Sequence, residues 1–244
     1  MITPLVLGYH RVIPYGEARR ATPWPVLDIP VKRFALHLEA ALRSGYVITD
    51  PLALVEGTYS TNSLFLSFDD GYLQTLIVAE QALRHLPCPQ RFMLSFITGR
   101  AMNGEGFPWD HHHPHPSRCT LVRKEHLSSL SRFVRFGWHG RTHASLDGSC
   151  TNILSEMTPP QEITSLLPLF AYPYGHEQHN VSDQARSVCL SRYAMGFTLF
   201  STRLYLSAPC RSLVPRLYVS RYWSANEFVE RLDIHRGRVS DKSI

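Results

Sequence analysis

The stretch LFLSFDDGY, residues 64 to 72, sets Asp69 and Asp70 side by side at the end of a run that otherwise reads as a buried strand. Adjacent carboxylates repel, and burying one without a partner is costly. Either a loop solvates the pair or something positive sits between them. The rest of the chain repeats the setting. Short apolar runs alternate with helical patterns, as in an α/β fold with parallel strands. Strands are expected at Leu5–Tyr9, Leu64–Phe68, Phe92–Ile97, Val134–Trp138, Leu169–Tyr172, Ala194–Phe200 and Arg216–Ser220, with a weaker one at Tyr46–Ile48. Val31, Phe34, Leu38 and Leu42 share a helical face that Gly45 ends, and Leu73–Leu86, Lys124–Phe133 and Val181–Tyr193 read similarly. Ser224 to Glu227 has the form of a capping box opening a last helix. A further helix is expected around Pro160–Leu167, in a segment short enough to leave one wall of a cleft open. Seven or eight such units imply a closed, barrel-like sheet.

The polar motifs keep one relation to these strands. His10 follows the first, Asp69 and Asp70 the second, His139 follows FVRFGW, and Tyr172-Pro173-Tyr174-Gly175 follows LLPLF. In parallel barrels the active face is formed by the C-terminal ends of the strands. Four separate motifs are therefore expected to meet on one face.

Bulk properties narrow the class. With 244 residues, 44% hydrophobic and 18% charged, the chain reads as one globular domain over residues 1–236 with a polar tail at 237–244. No apolar run approaches the roughly 18 residues of a spanning helix. The start, Met1-Ile2-Thr3-Pro4, has no basic region and no cleavable signal pattern, and reads as the beginning of the fold. Five widely spaced cysteines without C-x-x-C argue for reduced thiols and a cytoplasmic location. The net charge of +5 arises wholly after residue 179, where arginines such as Arg203, Arg211, Arg216, Arg221 and Arg231 are scattered without forming a basic tract. That distribution excludes a nucleic-acid stripe and leaves a phosphate-bearing substrate as an expectation.

HGRTH sets His139 and His143 four apart, a spacing that brings two imidazoles to one side of a helical or tight-turn segment. Alone the pair is weak, because the chain has thirteen histidines. With one aspartate of the Asp69-Asp70 pair it forms a facial two-imidazole, one-carboxylate set, common for hydrolytic metals. The cation would then explain how the second carboxylate is tolerated. The loop GFPWDHHHPHP, residues 106 to 116, holds His111, His112, His113 and His115 and is expected to be exposed rather than a second metal site. Trp109 and Asp110 within it suit contact with a sugar ring. Tyr72, Trp138 and Trp223 have similar claims and equal claims to the core.

LSFDDGY, GWHGRTHASL and FAYPYG, in that order, resemble the first three motifs of the polysaccharide deacetylase (NodB-homology) family. VLGYHRV, VKRFALHLEAALRSGY and PRLYVSRYWSANEFVERL resemble the branch of biofilm poly-N-acetylglucosamine deacetylases, whose motif order is permuted. The resemblance runs from about Leu5 to Leu232 and implies a distorted (β/α)7-8 barrel. It implies that Asp70, His139 and His143 hold a divalent metal, most often zinc, with Co2+, Ni2+ or Mn2+ as substitutes. Asp69 would be the general base acting on a metal-bound water, and the backbone N–H of Tyr174 an oxyanion donor. Tyr172, Pro173, Tyr174 and Trp109 are the expected substrate contacts.

The general acid has two candidates. Leu232-Asp233-Ile234-His235 fits the family's late Leu-x-x-His motif but follows a helical stretch. The permuted branch takes its acid from the N-terminal strand, which points to His10, and we favour His10. Ala171 stands where many members carry an arginine that orients the catalytic aspartate, so the partner of Asp69 is left open. The implied activity is N-deacetylation of an amino sugar or glycoconjugate. A deformylase or small-molecule amidase with the same site, and an inactive sugar- or metal-binding homologue, are the alternatives.

Overall fold

A computed structural model describes residues 4–14, 27–88, 90–111, 119–175, 181–200 and 210–235. In chain order the strands and helices are β1 (Leu5–Tyr9), β2 (Arg11–Ile13), β3 (Asp28–Pro30), α1 (Val31–Arg43), β4 (Val47–Ile48), α2 (Leu52–Glu56) and β5 (Ser63–Phe68). There follow α3 (Leu73–Arg84), β6 (Met93–Ile97), α4 (Gly99–Met102), α5 (Lys124–Leu130), β7 (Val134–Trp138) and α6 (Ile153–Glu156). The last are β8 (Leu166–Ala171), α7 (Asp183–Arg192), β9 (Met195–Phe200), β10 (Val214–Tyr218) and α8 (Ala225–His235). Strands β1, β10, β9, β8, β7, β6 and β5 pair in that order, all parallel, and β1 pairs back onto β5. The ring is thus a closed seven-stranded barrel. The short β4 is an appendage on the first residues of β5, so the eighth unit lies outside the ring.

Strand alternation sorts the side chains into two cores. Leu5, Leu7 and Tyr9 of β1, Leu64, Leu66 and Phe68 of β5, and Val134, Phe136 and Trp138 of β7 face outward and pack under the helices. Val6, Phe65, Leu94, Phe96, Leu169, Ala171 and Phe197 face inward and fill the barrel, joined by Ala53 and Leu54 of α2. Burying each large apolar side chain contributes about 1.5–3 kcal/mol, so both layers are needed to hold the ring. Gly137 belongs to the inner layer, where a Cβ would lie 2.7 Å from the Phe96 ring.

Two local expectations resolve differently. The capping box forms, with Ser224 N–H donating to Glu227 Oε2 at 2.7 Å and Glu227 N–H to Ser224 Oγ at 3.2 Å. The helix expected around Pro160–Leu167 does not. Residues 160–163 make a turn through Ile163 N–H and the Pro160 carbonyl, Pro168 disfavours helical backbone at Leu167, and Leu166 already pairs with Phe136 in the sheet. The connection keeps only the single turn α6. Among the described residues no helix is long and apolar enough to cross a membrane. The tail at 237–244 and His112, His113 and His115 lie outside the described residues.

Candidate active site

The inward positions of the strands continue into the site. Val6 and Gly8 are followed by His10, Phe65 and Ser67 by Asp69, and Gly137 by His139. Each polar residue is the next inward position beyond its strand, at the C-terminal mouth of the barrel. Asp70, His143 and Tyr174 reach the same place by another route. They are the non-glycine residues with left-handed backbone among those described, with φ of 68°, 65° and 62°. Such a conformation costs energy that the surroundings must supply, and it concentrates at functional sites. It lets Asp70 break the strand alternation, so that its Oδ1 comes within 3.2 Å of His143 Nε2 and 3.7 Å of His139 Nε2.

The two histidines converge through a loop rather than along a helix, and the loop is clamped from both sides. Gly99 N–H donates to the Gly140 carbonyl and Arg100 N–H to the Arg141 carbonyl, each at 3.0 Å. A Cβ on Gly99 would sit 2.6 Å from the Arg141 oxygen, so only glycine permits this approach. On the other side the buried Glu156 accepts from Thr142 N–H at 2.9 Å and Thr142 Oγ1 at 2.8 Å. The Glu156 carbonyl accepts from Trp138 Nε1 and Arg141 N–H.

Asp69 finds its partner on β10. Arg216 is fully buried inside the barrel, two residues beyond the inward Val214, and its Nη1 and Nη2 donate to Asp69 Oδ1 and Oδ2 at 2.5 and 2.8 Å. Nη1 also reaches Ser67 Oγ at 3.1 Å, and the guanidinium lies over the Phe96 ring. Burial pushes Asp69 up, but Arg216, aided by His139 and His10, outweighs it and holds the carboxyl well below the usual range. Asp69 is therefore ionised at neutral pH. Asp70 is likewise raised by burial and lowered more strongly by His143, His10 and His139. His139 is pushed down to about 4 by burial, against the pull of Asp69, and is neutral at pH 7.

These features fit a divalent cation. Asp70, His139 and His143 each offer a ligand atom, and the three atoms lie within 4.8 Å of one another. Among the described residues, Asp70 Oδ1 is buried with no aligned hydrogen-bond partner although both imidazoles face it, the mark of an acceptor awaiting a positive group. The Nδ1–H of His139 donates to the Ala171 carbonyl at 2.8 Å, which leaves Nε2 bare toward Asp70. A neutral imidazole with its outer nitrogen so fixed is the form that ligates.

The remaining expected residues divide. His10 Nε2 stands 4.0 Å from Asp69 Oδ2, at the barrel mouth. His235 ends α8, which packs on α1, and its side chain lies outside the described residues. Trp109 and Tyr174 flank His143, with ring centroids 5.3 and 4.9 Å away, and Tyr174 is 51% exposed. Pro173 borders Gly140 of the histidine loop. Tyr172 occupies an outward position, and its ring is buried against Phe170 in the core, so its side chain is not a substrate contact. Asp110 is spent on Arg11 and Tyr72 rather than turned to a sugar, Trp138 is core, and Trp223 packs under Arg231. Of the arginines considered for a phosphate handle, Arg216 faces inward onto Asp69 and Arg211 donates to the Leu190 carbonyl, while Arg203 lies outside the described residues. Two residues that shape the site were not recognised in the sequence. Arg216 had a visible signal, the inward alternation Val214, Arg216, Tyr218; Glu156 had none.

No protein-family model matches the chain, and no curated protein matches its sequence. Solved structures do. The deacetylase PplD of Streptococcus pyogenes, in complex with acetate, superposes with a TM-score of 0.71 at 15% identity over 95% of this chain and 98% of that one. A de-N-acetylase from Aggregatibacter actinomycetemcomitans gives 0.64 at 15% identity over 93% and 98%. IcaB from Ammonifex degensii gives 0.59 at 16% identity over 97% and 98%. The closed seven-stranded barrel of this chain is therefore the fold of the polysaccharide deacetylases, and the likeness covers nearly the whole chain.

Proposed function

We propose that the chain is a metal-dependent amidohydrolase that removes the N-acetyl group from an amino sugar or glycoconjugate and releases acetate. The observation that carries this is the convergence of Asp69, Asp70, His139, His143 and His10 at one barrel mouth. The fold adds support, since the proteins that share it include the deacetylase PplD and a de-N-acetylase. A divalent cation held by Asp70, His139 and His143, zinc in the first place, would supply Lewis acidity toward the acyl carbonyl and toward water. Asp69 takes the proton of the attacking water. A carboxylate held so low is a weak base, so its contribution is steady ionisation and orientation by Arg216 more than basicity. His10, with Nε2 4.0 Å from Asp69 Oδ2, gives the leaving amine its proton. The Tyr174 backbone N–H is the oxyanion donor, and the Tyr174 and Trp109 rings bracket the sugar. The free thiols Cys88, Cys119, Cys150, Cys189 and Cys210 suit a reducing cytoplasm, and hence an intracellular glycoside or glycoconjugate.

The test is acetate release from a panel of N-acetylated amino sugars and oligosaccharides by metal-reconstituted protein. Asp69→Asn should load metal normally and lose activity by about 10²–10⁴-fold. An Asp69→Asn variant as active as wild type would remove Asp69 from its role. Formate release from N-formyl analogues, with none of acetate from the panel, would replace the deacetylase with a deformylase.

A further inference from the structure

The two imidazoles of the candidate metal group are oriented by different means. His139 is held through Nδ1 by the Ala171 carbonyl. His143 Nδ1 is buried too, and among the described residues it has no hydrogen-bond partner. What surrounds the His143 ring is aromatic: Phe107 at 5.4 Å, Trp109 at 5.3 Å and Tyr174 at 4.9 Å, each edge-on. Phe107 and Trp109 are stacked on each other at 4.5 Å and 8° and form one wall. That wall is tied down by a buried polar chain. Trp109 Nε1 donates to Tyr72 Oη at 3.3 Å, and Tyr72 O–H donates to Asp110 Oδ2 at 2.9 Å. Asp110 Oδ1 accepts from Arg11 Nη1 at 3.2 Å, and Arg11 Nε donates to Asp28 Oδ1 at 2.6 Å. Every member but Trp109 is almost wholly buried, so the chain fixes the wall firmly.

We propose that Trp109 is a positioning residue for His143, and that the Tyr72–Asp110–Arg11 chain aims this imidazole by packing where a hydrogen bond does so for His139. The proposal rests on the metal reading of Asp70, His139 and His143. A ligand whose outer nitrogen lacks a fixed acceptor can rotate about its Cβ–Cγ bond unless its faces and edges are blocked. Loss of an orienting partner typically costs about 10–100-fold in metal affinity. Trp109→Ala opens the wall on one side. Trp109→Phe keeps a ring there, and Tyr72→Phe removes only the hydroxyl that joins Trp109 to Asp110.

The experiment is Co2+ titration of the full chain against a competing chelator, with the visible absorption of the bound ion recorded for each variant. Trp109→Ala should lose about tenfold or more in affinity with shifted bands. Trp109→Phe should restore both, and Tyr72→Phe should show a loss of a few-fold with the same direction of shift. Should Trp109→Ala fail to fold, Tyr72→Phe decides, because it leaves the volume of the core unchanged. Wild-type affinity and band positions in Trp109→Ala, or in Tyr72→Phe where that variant decides, would overturn the proposal. This holds even where KM rises, since a ring serving only as a sugar platform leaves the metal spectrum alone. Wild-type protein that takes up no Co2+ would instead remove the metal site itself, and the proposal with it.

Discussion

Two arginines are buried in this fold to almost the same degree, and they serve opposite ends. Arg216 rises from the barrel floor, and its two terminal nitrogens grip both oxygens of Asp69. Arg11 sits in the flank and pairs with Asp28 and Asp110, and among the described residues its Nη2 and Asp28 Oδ2 have no partner. The first pair is closed around a carboxylate at the mouth of the cleft, where charge is useful. The second is a network that runs through Asp110 and Tyr72 to Trp109 in the wall beside His143. A buried ion pair by itself is weak evidence of stability or of function. What separates these two is what each holds: Asp69 in one case, the Phe107–Trp109 stack in the other.

The sharpest way to break the comparison is Arg216→Met. Removing one partner of a buried pair costs about 3–5 kcal/mol, and the loss should appear in denaturant unfolding. Without the guanidinium, burial pushes Asp69 upward against only His139 and His10, so the acid limb of the pH–activity profile should move toward neutral pH. Adding Asp69→Asn should restore most of the stability and none of the activity. An unmoved acid limb would mean that Arg216 does not govern Asp69.

A buried group far from the cleft provides the control. His37 in α1 donates Nε2–H to the Trp223 carbonyl at 2.8 Å and stacks on Phe228. Burial lowers it to about 4, against the Trp223 bond, with Arg33 adding to the lowering. Its proton binds better to the unfolded chain, where the ordinary value is about 6.5. The contribution to stability is therefore complete above that value and is lost as pH falls toward 4, by about 3 kcal/mol in all. Unfolding free energies between pH 7 and 4 should show this slope, and His37→Gln should flatten it while leaving the shape of the pH–activity profile unchanged.

The flank responds differently. Asp110→Asn keeps the shape of the network and removes its charge, which should cost about 1–3 kcal/mol in unfolding. It should weaken metal binding without moving the acid limb, the reverse of Arg216→Met. Glu156→Gln is the smallest change, because the amide oxygen can still accept from Thr142. A loss of about 1 kcal/mol is expected, with the larger loss in Glu156→Ala, read by thermal unfolding and metal affinity together.

These contrasts also mark what the sequence could and could not carry. The strand runs, their alternation and the polar residue after each run were legible, because a period of two is local information. The same period was enough to read Arg216 as inward-facing and Tyr172 as outward-facing. Arg216 passed as one of several scattered charges, and Tyr172 was grouped with Tyr174 because they share a motif. What local pattern could not carry is pairing at a distance. Arg216 and Asp69 are 147 residues apart, and Arg11 and Asp110 are 99 apart. Such partners meet only when the ring closes. Glu156 is harder still, since nothing in ILSE announces that its carboxylate will clamp a loop.

The central claim is that Asp70, His139 and His143 form a metal site, and elemental analysis of purified, metal-reloaded protein tests it most directly. One divalent ion per chain is expected in the wild type, lost in His139→Ala while the apo fold is retained. Wild-type protein that binds no ion under metal-replete conditions, or a His139→Ala variant that binds it as tightly, would contradict it.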